Sequence, residues 1–249
     1  MRGGRVLVGT SGYVYRDWRE RFYPRSLPAR EWLPYYAARF PTVELNNPFY
    51  RLPSAATFRA WRRLVAPDFV FAVKASRFLT HIKRLKDPGP PLRLFLTRVR
   101  ALGPTLGPVL FQLPPQFHAN EERLVGFLAA LGRQRLVPDL RAVLEVRHAS
   151  WLEPPFFARL REANVALAFH DSKKQAVTAP VTADFVYVRR HGYGKRGSYT
   201  SRALRADARL VRRWRAEGRD VYVYYNNDWR AFALDNALAL TQSVRRPAR

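Results

Sequence analysis

Glu44 and Glu145 each sit in a short, otherwise apolar run, TVEL and AVLE. A carboxylate in such a run needs a partner once buried, because an unpaired buried charge is costly. Two such carboxylates are also what general acid–base chemistry asks for. Other apolar runs close on polar or charged residues too: Thr10 and Ser11, Asn46, Lys74, Gln112, Arg147, His170 and Asp171, Arg189 and His191, and Asn226 with Asn227. Lys74, Arg147 and Arg189 have the chemistry of an anion clamp, and Lys74 that of a nucleophile if burial lowers its pKa. Asp171 or His191 would act as a second proton carrier beside Glu44 and Glu145. Paired amides at Asn226 and Asn227 suit hydrogen bonding to a polar ligand. Each residue also has a structural alternative. Lys74 and Arg147 would pair with the two glutamates, Asp171 would cap a helix, and Asn226-Asn227-Asp228 would form a turn. The stretch Arg189–Arg196, rich in arginine and glycine, is either a phosphate-binding loop or a solvated basic loop.

The runs that carry these residues are short and rich in Val, Phe and Leu. They lie at Arg5–Gly9, Thr42–Leu45, Phe69–Val73, Pro108–Leu113, Ala142–Val146, Val165–Phe169, Phe185–Val188 and Val221–Tyr225. Continuous apolar strands of this length belong to a parallel sheet covered on both faces. Helical patterns lie between them: Pro28–Phe40, Ala55–Val65 behind a Ser54 cap, Leu92–Leu102, Glu121–Leu131 behind an Asn120 cap, Pro155–Ala163, Arg202–Glu217 and Ala231–Ser243. Eight alternating strand–helix steps predict an α/β chain, a single (β/α)8 TIM barrel with parallel strands. Too few residues separate strands six and seven for a full helix, so that crossover is expected to be short or irregular. The predicted organisation is one domain over residues 1–244 and a basic, frayed tail over 245–249. In barrels of this class the catalytic residues come from the C-terminal strand ends. Polar residues closing all eight strands therefore predict a site at that mouth. Trp18, Phe22 and Tyr23, with Phe49 and Tyr50, form an aromatic set that is either a hydrophobic cap or a stacking platform.

Composition narrows the partners. The formal net charge is +25, from 44 Lys and Arg against 19 Asp and Glu. Only six of the 44 are lysine (Lys74, Lys83, Lys86, Lys173, Lys174 and Lys195), and the rest are arginine. So positive a field attracts anionic small molecules and nucleic acid alike. However, Arg59, Arg62, Arg63, Arg98, Arg100, Arg209, Arg212, Arg213 and Arg215 fall on helices predicted to face outward, which spreads the charge around the barrel. The chain has no cysteine, which excludes disulfides and thiolate metal sites. No apolar run approaches a membrane span, so the expectation is a soluble cytoplasmic protein without a membrane partner. The sequence requires no cofactor. A divalent metal on Glu44, Glu145, Asp171 and His191 is the weaker reading, since no HxH or HExxH spacing is present.

The same segments resemble the DUF72 family, the YecE-like TIM-barrel proteins, over nearly the whole chain. The matching motifs are GTSGYVYRDWRERFYP (Gly9–Pro24), VELNNPFYRLP (Val43–Pro53), FAVKASRFLTH (Phe71–His81), LFQLPPQF (Leu110–Phe117), LEVRHASW (Leu144–Trp151), YVRRHG (Tyr187–Gly192) and YYNND (Tyr224–Asp228). The resemblance implies the barrel and a cavity at its top face. It carries over Thr10, Glu44, Asn46, Lys74, His81, Gln112, Glu145, Arg147, Trp151, Asp171, Arg189, His191 and Asn227 as site residues. Asn47-Pro48 departs from the family pattern, which would reshape the second loop without removing Glu44. Three functions follow from these residues. The leading one is an enzyme using Glu44, Glu145, Asp171 and His191 as proton carriers on a phosphate-bearing or sugar-like substrate. Alternatives are a nucleic-acid-binding, nuclease or repair-like barrel, and a barrel that binds a small molecule without catalysis.

Overall fold

The computed structural model describes residues 3–172, 175–176, 179–192 and 197–245. Half of the expected basic stretch, 193–196, and the tail 246–249 lie outside the described residues. Ten strands run along the chain: β1 (Val6–Ser11), β2 (Thr42–Leu45), β3 (Val70–Lys74), β4 (Leu106–Gln112), β5 (Ala142–Glu145), β6 (Ala166–Leu167), β7 (Phe169–Ser172), β8 (Gln175–Ala176), β9 (Phe185–Arg190) and β10 (Asp220–Tyr225). The helices are α1 (Trp32–Ala37), α2 (Asn47–Tyr50), α3 (Ala55–Arg63), α4 (Gly89–Val99), α5 (Glu121–Arg133), α6 (Pro154–Glu162), α7 (Ser201–Ala216) and α8 (Phe232–Arg245). The eight expected strand positions are all present once β6 and β7 are taken as one run interrupted at Ala168. The element order is that of the α/β, (β/α)8 class. Between β7 and β9 the described chain holds only β8, antiparallel to β7, so the irregular crossover is observed.

The chain forms two compact units. One comprises Met1–Glu44, Phe169–Thr178 and Asp184–Arg249. In it β1 pairs in parallel with β2 and β10, β10 with β9, and β9 with β7. Gly9 of β1 admits no side chain, because a Cβ there would fall 2.1 Å from the Thr42 carbonyl oxygen. Leu7, Val8, Val43, Tyr187, Val221 and Tyr224 fill the interior, each at most 2% exposed. The other unit comprises Leu45–Ala168 and Ala179–Ala183. Its sheet runs β3, β4, β5, β6, all parallel. Pro108 lies inside β4 and has no N–H for a ladder. The register accordingly slips there, with Phe71 opposite Leu106 but Val73 opposite Val109.

Local signals set the helix starts. The Ser54 hydroxyl accepts from the Thr57 amide, Asn120 Oδ1 from the Arg123 amide, and the Thr200 hydroxyl from the Ala203 amide. Each satisfies an amide that the first turn leaves orphaned. Asn120→Ala is expected to cost about 1 kcal/mol, read as a lower urea midpoint at unchanged slope. The arginines expected on outward helices sit in α3, α4, the turn after it, and α7. Among the described residues no helix is long and apolar enough to cross a membrane.

Candidate functional site

Glu44 closes the first unit's share of β2 and is fully buried. Its two oxygens take four donors. The Ser11 hydroxyl donates to Oε1 at 2.5 Å, and the Tyr187 hydroxyl to Oε2 at 2.7 Å. Arg189 donates Nε to Oε2 at 2.9 Å and Nη2 to Oε1 at 2.8 Å. This bidentate fork leaves the carboxylate no freedom to turn. Burial first, then the Glu44 charge, pushes the Tyr187 hydroxyl well above its usual range, so it stays a donor. Below this layer Thr10 is tied down by Tyr36, whose hydroxyl accepts from the Thr10 amide at 2.9 Å and donates to the Thr42 carbonyl. The Thr10 hydroxyl donates to the Gly12 carbonyl at 2.7 Å.

Asp171 on β7 organises the neighbouring strand ends of the same unit. Its Oδ1 accepts the His191 amide at 2.7 Å, and its Oδ2 accepts the Tyr199 hydroxyl. Burial and the Asp171 charge raise the Tyr199 pKa, again keeping a proton donor. Tyr199 in turn accepts the Gly192 amide at 2.7 Å, so one carboxylate and one phenol hold the start of the loop after β9. The His191 ring, half-buried, meets the Asn226 amide at 3.0 Å through Nδ1. Asn227 donates to the Gly197 carbonyl and, at 2.8 Å, to Asn236 Oδ1. The buried oxygen of Asn227 and the Tyr225 hydroxyl have no hydrogen-bond partner among the described residues.

In the second unit Glu145, the last residue of β5, is fully buried. Gln112 Nε2 donates to its Oε1 at 2.6 Å and Arg147 Nε at 2.5 Å, with Arg147 Nη2 on the same oxygen. Lys74, half-buried at the end of β3, places its ammonium 4.0 Å from the centre of the Phe49 ring. His81 meets the same ring edge-on at 4.8 Å. Burial, then Lys74 and Arg77, lower the His81 pKa from 6.5 to about 4, so its imidazole is neutral at physiological pH. The buried oxygen of Asn46 has no hydrogen-bond partner among the described residues. Trp151 is buried, packs edge-on against Phe117, and donates its indole N–H to the Phe117 carbonyl at 2.8 Å.

The depressed pKa of His81 has a consequence for stability. Between pH 6.5 and about 4 the unfolded chain binds a proton at this position that the folded chain refuses. Stability from this group is complete above pH 6.5 and is lost as pH falls toward 4. His81→Asn is expected to flatten the fall in melting temperature across that window, which a pH series of thermal melts would read.

Residues 7–249 match the family described as "Protein of unknown function DUF72". The chain belongs to that family. It is 30% identical to the UPF0759 protein YunF of Bacillus subtilis over 61% of this chain and 54% of the relative. It is 33% identical to the UPF0759 protein YecE of Escherichia coli K12 over 51% of this chain and 43% of the relative. Those alignments thus span about half the length of the curated relatives. A crystal structure of a DUF72 family protein from Thermotoga maritima is 29% identical and superposes with a TM-score of 0.84, covering 97% of this chain and 100% of that one. The (β/α)8 fold class expected from the strand pattern is thereby established.

Within this DUF72 chain several sequence expectations take a different form. Arg189, read as an anion clamp, is bound through two nitrogens to Glu44. Asp171 caps no helix, because it lies inside β7 and binds the β9 loop instead. Among the described residues no three His, Asp or Glu side chains gather as metal ligands. The aromatic residues divide between core and surface, with Phe49 buried and Tyr50 72% exposed. Trp18 and Tyr23 are fully buried, and Tyr23 stacks on Trp32 at 4.5 Å. Tyr187 and Tyr199 escaped the sequence reading. Their hydroxyls are what satisfy Glu44 and Asp171, and a tyrosine inside an apolar strand could have signalled the first of them.

Proposed function

We propose that this chain is an enzyme acting on a phosphate-bearing or sugar-like substrate at its strand C-terminal ends. The observation that carries this reading is Glu145. It is a wholly buried carboxylate at a strand end, held on one oxygen by Gln112 and Arg147, beside a neutral imidazole and a lysine. Buried ion pairs contribute little to stability once their desolvation is counted. Their concentration at the catalytic end of a barrel strand is more economically explained by chemistry.

In this reading Glu145 moves the proton, and neutral His81 can accept one or relay it. Lys74 and Arg147 stabilise negative charge as it develops. Gln112, Asn46 and Trp151 are assigned to orienting the substrate. In the first unit Glu44, Asp171 and His191 are assigned to proton transfer, with Thr10, Arg189, Asn226 and Asn227 assigned to substrate binding. Their hydrogen bonds make Glu44 and Asp171 rigid members of this set.

The test is a panel of aryl phosphate monoesters, diesters and glycosides presented to the wild type and to Glu145→Gln. Turnover present in the wild type and absent in the variant supports the assignment. A substrate turned over equally by both overturns it.

A further inference from the structure

Beyond Lys74 and Glu145, the second unit carries a cleft of about 530 Å³ whose cations the acid–base reading does not use. Phe78–Ile82 forms one π-helical turn, a distortion that recurs at functional sites. The chain then passes through Arg84, Leu85 and Asp87 at φ of 47°, 63° and 44°. These are left-handed conformations that side chains other than glycine seldom adopt. Leu85, 1% exposed, anchors the turn, and its amide donates to the Leu79 carbonyl at 3.0 Å. The strained path turns Lys83, Arg84 and Lys86 toward the cleft, where Arg123 of α5 joins them. Arg123 also braces the turn, donating to the Arg84 carbonyl at 3.4 Å.

No carboxylate lines this cleft. Lys83 has Asp87 at 3.5 Å, but Arg84 and Lys86 have no acidic partner among the described residues. Two apolar side chains complete the wall, Phe78 at 47% and Ile82 at 62% exposure. Three cations on a strained turn, with Arg123 of α5 and an exposed ring beside them, have the chemistry to hold a phosphate with a ring attached. His81 lines the same cleft and connects it to the Lys74 and Arg147 region.

We infer that this cleft binds a nucleotide-like phosphate ester, its phosphates on Lys83, Arg84, Lys86 and Arg123 and its ring against Phe78. The inference rests on the anion-processing reading above, since it names the substrate class for that region. Free nucleotides and the phosphodiester chain of a single-stranded nucleic acid share this chemistry.

Binding, not turnover, tests it. Titration calorimetry of the full chain would use inorganic tripolyphosphate, adenosine triphosphate and a short single-stranded oligonucleotide. Three variants would run beside the wild type: Lys86→Ala/Arg123→Ala in the cleft, Phe78→Ala beside it, and Arg205→Ala/Arg209→Ala on the exposed face of α7. The cleft pair is expected to weaken phosphate binding by about a hundredfold, roughly tenfold per charge, and the α7 pair far less. Phe78→Ala is expected to weaken the two ring-bearing ligands while sparing tripolyphosphate. Whichever of the two binds tighter identifies the source of the ester. Equal losses in the cleft and α7 pairs would assign the attraction to the +25 charge as a whole and overturn the inference. Absence of binding would overturn it as well. Lys86→Glu, at an exposed position, supplies a second variant should the pair fold poorly. Turnover by Glu145→Gln is read in its own experiment, so a failure of binding here and a failure of the catalytic assignment are distinguishable.

Discussion

Glu145→Gln is expected to lower turnover by about 10²- to 10⁴-fold, the range over which a positioned acid or base acts. The substitution keeps the shape of the side chain and an oxygen for Arg147, and removes the proton-carrying group. Its structural cost should be modest, because Arg147 is the freer partner. Its side chain is 16% exposed and can regain water when its carboxylate is lost. Steady-state kinetics beside a thermal melt would separate the two effects. A large fall in kcat with a small fall in melting temperature supports a chemical role. A melting temperature that falls in step with activity would assign Glu145 to scaffolding instead.

For Glu44→Gln the expectation is reversed. Arg189 is 1% exposed, so it cannot recover solvent when the bidentate carboxylate goes. Tyr187 and Ser11 lose their acceptor at the same time. Removing one partner of a buried pair costs about 3–5 kcal/mol, much of it the price of the stranded charge. For a chain of this size that corresponds to a fall of about 6–20 °C in melting temperature. Glu44→Met combined with Arg189→Met should recover part of the loss, because no charge is then left unpaired. A single variant that melts within about 2 °C of the wild type would show that the fork contributes little to stability.

These two carboxylates look alike in the sequence, each in a short apolar run, and differ only in what the fold brings to them. Glu145 finds Arg147 two residues away, within the reach of sequence reasoning. Glu44 finds Arg189 and Tyr187 more than 140 residues away, and no local pattern pairs either with it. Asp171 shows the same limit. Beside His170 it reads as half of an acid–base pair, yet its oxygens serve the His191 amide and Tyr199. Neighbouring residues on a strand point to opposite faces, so adjacency along β7 does not imply a shared partner.

What the sequence determined by itself is the set of local quantities. It located eight apolar strand positions, the helices between them with their Ser54 and Asn120 caps, the irregular link before β9, and the polar residue that ends each strand. Periodicity, capping and turn chemistry act over a few residues and are therefore written in short windows of sequence. The tertiary structure alone decided which cation answers which carboxylate, that Tyr187 and Tyr199 serve as their donors, and that Leu85 is buried to hold a basic turn open. Those outcomes depend on contacts between distant residues, where burial makes an unmatched charge so costly that packing, not local preference, selects the partner.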